Sequence, residues 1–99
     1  MTPETADLVC SKARAAFLRT DGVQIEDAEL VNFNDYRWGG KYVLLRQAGQ
    51  VVAVYKMVIR MGPDRAVNRD GNLVFEVDSL SVGVKRIKRA PKGLLPVTD

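Results

Sequence analysis

The stretch from Tyr42 to Ile59, YVLLRQAGQVVAVYKMVI, constrains the fold more than any other part of the chain. Val, Ile and Tyr dominate it, and these residues fit a pleated, half-buried surface. Ala48-Gly49 interrupts the run, and a short Gly-bearing loop between two such segments reads as a hairpin. On the second strand Val51, Ala53, Tyr55, Met57 and Ile59 are expected on one face, with Val52, Val54 and Val58 on the other. Apolar residues on both faces mark a strand covered on both sides, so this pair belongs at the centre of a sheet.

Upstream, Thr2-Pro3-Glu4 has the chemistry of a helix start: a hydroxyl at the N-cap, proline in the first turn and an acid beside it. Ala6, Val9, Cys10, Ala13, Ala16 and Phe17 then recur at helical spacing, and Asp21-Gly22 closes the element. Cys10 lies on this apolar stripe and reads as a small core residue, not a nucleophile. Val23–Phe33 is expected to be a strand whose alternation slips at Asp27-Ala28, as at a bulge or a sheet edge. Its acids Glu26, Asp27 and Glu29 protect such an edge from pairing with other chains, and they have no metal-ligand spacing.

Downstream, Met61–Asn72 is polar and turn-rich, with Gly62-Pro63-Asp64 and Asp70-Gly71, and is expected to be a cationic loop. Asn68-Arg69-Asp70-Gly71 lacks the first and last ligands of a calcium loop, so Asp70-Gly71 reads as a turn. Leu73–Val77 and Leu80–Val84 are expected strand segments separated by a bulge at Asp78-Ser79. Pro91, Gly93 and Pro96 make residues 91–99 an expected flexible tail. The fold class is therefore α+β: one N-terminal helix packed on an antiparallel sheet of four or five strands, a single domain over 1–99.

The composition limits the chemistry. There is no histidine among the 99 residues and a single cysteine. The commonest general base and the commonest nitrogen metal ligand are thus missing, and no internal disulfide can form. No nucleophile elbow, dinucleotide fingerprint or phosphate loop occurs; in Gly39-Gly40-Lys41, Tyr42 stands where a magnesium-binding hydroxyl would be needed. The expectation is a non-enzymatic protein with no cofactor and no metal. No run of 18 apolar residues is present and the N-terminus has no leader-like pattern, so a cytoplasmic protein without a membrane span is expected.

Charge gives the only functional handle. The net charge is +3, but residues 1–40 carry four basic and seven acidic side chains, whereas residues 41–99 carry eleven and five. Such asymmetry points to an anionic partner. Two features stand out. Lys85, Arg86, Lys88 and Arg89 fall in a basic run, where several cations together can release counterions from phosphates. In the segment 33–42, Tyr36 and Trp38 are interleaved with Arg37 and Lys41, a pattern that can stack bases while meeting phosphates. The same residues also suit a solvated strand end and a capped core. The leading expectation is a module that binds nucleic acid or a ribonucleoprotein. The alternative is a small regulator, adaptor or inhibitor, of the kind a phage or mobile element encodes, acting by protein–protein contact. Oligomeric state is not legible.

Overall fold

The computed structural model describes residues 2–34 and 39–88. Helix α1 (Pro3–Asp21) is followed by four antiparallel strands, β1 (Asp27–Asn34), β2 (Gly39–Gln47), β3 (Gln50–Val67) and β4 (Leu73–Arg86). The strands form one sheet in the order β1-β2-β3-β4, a meander with β2 and β3 in the middle. The α+β expectation thus holds, with four strands. The expected tail 91–99 lies outside the described residues, as do Tyr36, Arg37, Trp38 and Arg89.

The helix is bounded as its ends dictate. The Thr2 side chain accepts a hydrogen bond from the Thr5 backbone N–H at 3.2 Å. Gly22 adopts a left-handed conformation (φ 71°) and its N–H donates to the Leu18 carbonyl at 2.9 Å. Both devices satisfy backbone groups that a helix end otherwise leaves unpaired. The inner stripe then buries Val9, Ala13 and Phe17 against Val43, Leu45, Ala53 and Tyr55 on one face of the sheet. Each fully buried large side chain contributes about 1.5–3 kcal/mol. On the opposite face Tyr42, Leu44 and Val54 form a second buried cluster with Val31, Phe33, Val51 and Ile87 packed around it. The central hairpin is covered on both faces, as its composition requires.

Three expectations about the strands are corrected. Val51 packs with the cluster away from the helix, not with Ala53 and Tyr55. Leu45 pairs with Ala53 but Arg46 pairs with Val51, so Val52 is an extra residue and the bulge reverses the face before it. Strand β1 begins only at Asp27; Val23–Glu26 is irregular, although Ile25 still reaches the core at 3% exposure. The edge position of β1 is as expected.

The third correction is the largest. The segment expected to be a cationic loop continues β3 to Val67, and β4 runs alongside it from Leu73 without interruption at Asp78-Ser79. Only residues 68–72 turn. There the Asn68 side-chain oxygen accepts from the backbone N–H groups of Asp70 (2.9 Å) and Asn72 (3.0 Å), and Gly71 has φ 84°. Such an Asx-type turn closes the hairpin locally. Pro63 is tolerated because this part of β3 has a single partner strand and a free edge. Beyond Ile59 and Val82 the hairpin therefore projects as a two-stranded arm, about 30 Å long for nine residues of strand. The radius of gyration of 16.6 Å exceeds the about 13 Å of a compact domain of this length, and the arm accounts for the difference.

The turn Gln47–Gln50 has two central residues, Ala48 (φ 53°) and Gly49 (φ 79°). Both positive φ values define the twist-matched hairpin turn that favours Asn-Gly. Ala48 accepts a conformation that costs an L-residue with a Cβ roughly 1 kcal/mol. Ala48→Asn is therefore expected to raise stability by about 0.5–1 kcal/mol in urea denaturation. An unchanged or lower midpoint would show that the turn is not strained.

Candidate polyanion-binding groove

Two of the cations on strand β3 share a face because their spacing is even: Lys56 and Arg60, with Val58 between them. Strand β4 supplies the facing residues, since Lys56 pairs with Lys85, Val58 with Gly83 and Arg60 with Ser81. Alternation from Tyr42, which pairs with Lys56, places this row on the face of the sheet away from the helix. The twisted ribbon makes an open groove of about 970 Å³ here, whose lining includes Lys56, Val58, Arg60, Ser81, Gly83 and Lys85, the intervening residues 57, 59, 82 and 84, and Ile87. Among the described residues no carboxylate lines it.

Two features of this groove act against stability. Lys56 and Lys85 stand directly opposite each other across the strands, and like charges so placed repel. Gly83 occupies a strand interior, where it costs about 0.5–1 kcal/mol relative to Ala. A Cβ at Gly83 would meet nothing within 4 Å, so neither packing nor backbone geometry requires the glycine. Mid-strand glycine without a packing reason fits a site that another molecule approaches closely.

The other cations are placed differently. Arg46 bridges Glu29 at 2.8 Å and Asp27 at 3.8 Å. Arg14 faces Glu26 at 3.6 Å, and Arg65 pairs with Glu76 at 3.4 Å. Arg86 points to the helix side, where it bridges Asp21 at 2.6 Å and lies over the Phe17 ring at 5.3 Å from the centroid. Lys12 donates to the Val82 carbonyl and fastens α1 to β4. The acids of the helix and β1 thus neutralise part of the basic second half. Among the described residues no carboxylate pairs with Lys56, Arg60 or Lys85.

Of the described candidates named from sequence, only Lys85 lies in the groove. Lys88 is exposed just past the end of β4. Arg86 is committed to the helix. Lys41 falls on the helix-side face, in alternation with Tyr42, and pairs with Asn32 at the far end of β2. Tyr36, Arg37, Trp38 and Arg89 lie outside the described residues. Lys56 and Arg60 were not among the candidate site residues, because no basic run contains them; Arg60 was read only as a cation beside the 61–72 loop. The period-two spacing of Lys56, Val58 and Arg60 was the available signal.

Among the described residues no group of three or more Cys, Asp and Glu side chains is placed to hold a metal. Cys10 is half-buried against the core, and burial pushes its thiol pKa up, which keeps it in the unreactive protonated form. No described helix is long and apolar enough to cross a membrane. Comparison with family models, with curated proteins and with solved structures finds no match to this chain.

Proposed function

We propose that this protein is a small non-enzymatic binding module that engages the phosphate backbone of a nucleic acid, free or within a ribonucleoprotein, through the face bearing Lys56, Arg60 and Lys85. One observation carries the reading: three cations converge on an open groove with no neutralising carboxylate among the described residues of its lining. Phosphate contact of this kind is independent of base sequence and sensitive to salt. Labelled single- and double-stranded DNA and RNA, titrated at two salt concentrations, test it. Three neutralised phosphates give a slope of log K on log salt of about −2 to −3. Flat titrations with every nucleic acid at low salt would refute the reading.

Gly83→Val separates this site from an ordinary sheet surface. The substitution replaces a weak strand former by a strong one in open space, so stability is expected to rise by about 0.5–1 kcal/mol. The new side chain fills the floor between Lys85 and Ser81, so nucleic-acid affinity is expected to fall about tenfold. A variant that is more stable and binds equally well would contradict the groove as the contact surface.

A second reading, a protein-binding regulator, adaptor or inhibitor, is favoured by a separate observation. The arm exposes Met61 (70%), Leu80 (66%), Val67 (62%) and Val74 (62%). A stoichiometric protein partner that survives nuclease treatment in a pull-down supports this reading, and none at all counts against it.

A further inference from the structure

The row that carries Lys56, Arg60 and Lys85 does not stop at the groove. The β3–β4 register holds without a shift from Tyr55 to Ala66, so the same face continues along the arm. Beyond Arg60–Ser81 its rungs are Gly62–Ser79, Asp64–Val77 and Ala66–Phe75. The row therefore has cations at its body end and an aromatic ring at its far end. Phe17, Phe33, Tyr42 and Tyr55 all join a buried cluster, whereas Phe75 joins neither and is 48% exposed. A ring so placed contributes little to a two-stranded ribbon that is itself marginal in water. Between the two ends the floor is low: a Cβ at Gly62, as at Gly83, would meet nothing within 4 Å.

We propose, resting on the groove as the phosphate contact, that this row is a track for single-stranded nucleic acid. Phosphates lie on Lys56, Lys85 and Arg60, and a base stacks on Phe75. Two arguments select a single strand over a duplex. A ring can stack only on a base whose face is uncovered, and a duplex keeps its base faces inside the stack. The ribbon also twists, and two-stranded ribbons twist most. The row thus turns as it runs the about 20 Å from Arg60 to the Ala66–Phe75 rung. A flexible single strand follows that turn. A duplex, stiff over about 150 base pairs, meets the cations at the body end and leaves the face before Phe75. Asp64 falls on the row by register, and no cation lies on it between Arg60 and Phe75, so the far contact is made by a base and not by a phosphate.

Two probes test this at low salt: oligothymidylate of about 12 nucleotides and a duplex of the same length. At about 3.4 Å per nucleotide the strand is long enough to span the about 33 Å from Lys56 to Ala66. The single strand is expected to bind about tenfold more tightly than the duplex. Phe75→Leu keeps an apolar side chain but loses the ring face. It is expected to bind the single strand about tenfold more weakly, with duplex affinity and both salt slopes unchanged. Phe75→Trp restores the ring, and its added indole emission is expected to be quenched as the single strand binds. Equal affinity for the two probes, undiminished single-strand affinity in Phe75→Leu, the same loss for both probes, or an indole that the single strand leaves unquenched overturns the track while the groove stands. No binding of either probe overturns the track and the groove together.

Discussion

The triple variant Lys56→Ala/Arg60→Ala/Lys85→Ala is expected to lose nucleic-acid binding at low salt by about a hundredfold or more, while remaining folded. Each phosphate contact removed reduces the salt slope by about 1, so a slope near −3 should fall towards zero. Stability should not fall with it. Lys56 and Lys85 repel across the ribbon, and removing such a pair is worth a few tenths of a kcal/mol in the folded state's favour. Loss of binding at undiminished stability is therefore the signature. Arg65→Ala is the matched control: it also removes a cation from the β3–β4 ribbon, but one that Glu76 already engages. Equal losses from the triple variant and from Arg65→Ala would reduce the groove to a diffuse charge effect.

Phe17→Ala is expected to produce the largest loss of stability in the chain, about 3–5 kcal/mol. Against a total of about 5–15 kcal/mol for a domain, that leaves the protein at the margin of folding. Phe17 is buried in the cluster that joins α1 to the sheet, and its ring also supports the guanidinium of Arg86. Arg86 in turn bridges Asp21 at the last turn of the helix. The three side chains hold the C-terminal end of α1 on β4. Arg86→Ala alone should cost about 1 kcal/mol, because its ion pair is partly exposed and solvent-screened. A double-mutant cycle between Phe17 and Arg86 in urea denaturation should return a coupling of about 0.5–1 kcal/mol. A Phe17→Ala cost below 1 kcal/mol would mean that the helix is not docked through this ring.

The helix was fully legible in the sequence because its signals are local. Thr2, Pro3, Gly22 and the stripe through Val9, Ala13 and Phe17 each fix their own neighbourhood. The central hairpin was legible because its two runs and their turn adjoin in sequence. Its bulge was not: Val51-Val52-Ala53-Val54 is apolar at every position, so no polar residue reports the phase. The arm was misread as a loop because Gly62-Pro63-Asp64 has turn chemistry, whereas its strand conformation depends on pairing with Ser79, Asp78 and Val77. Propensity lost to a partner more than a dozen residues away.

Among the described residues the candidate site was legible only at Lys85. Counting the basic run from Lys85 overstated it, because a strand sends neighbours to opposite faces. Lys85 joins the groove while Arg86 turns to Asp21 and Phe17. Lys56 and Arg60 lie more than twenty residues from Lys85 in sequence, and only the register Lys56–Lys85 brings them together.

Backbone amide shifts, followed as a short unlabelled duplex is added to the isotopically labelled protein, locate the contact most directly. The account predicts that the perturbed amides cluster at Lys56, Val58, Arg60, Ser81, Gly83 and Lys85, and that those of Ala13, Phe17 and Glu29 stay in place. A footprint on the helix or on β1, or saturating duplex without any perturbation, would contradict it.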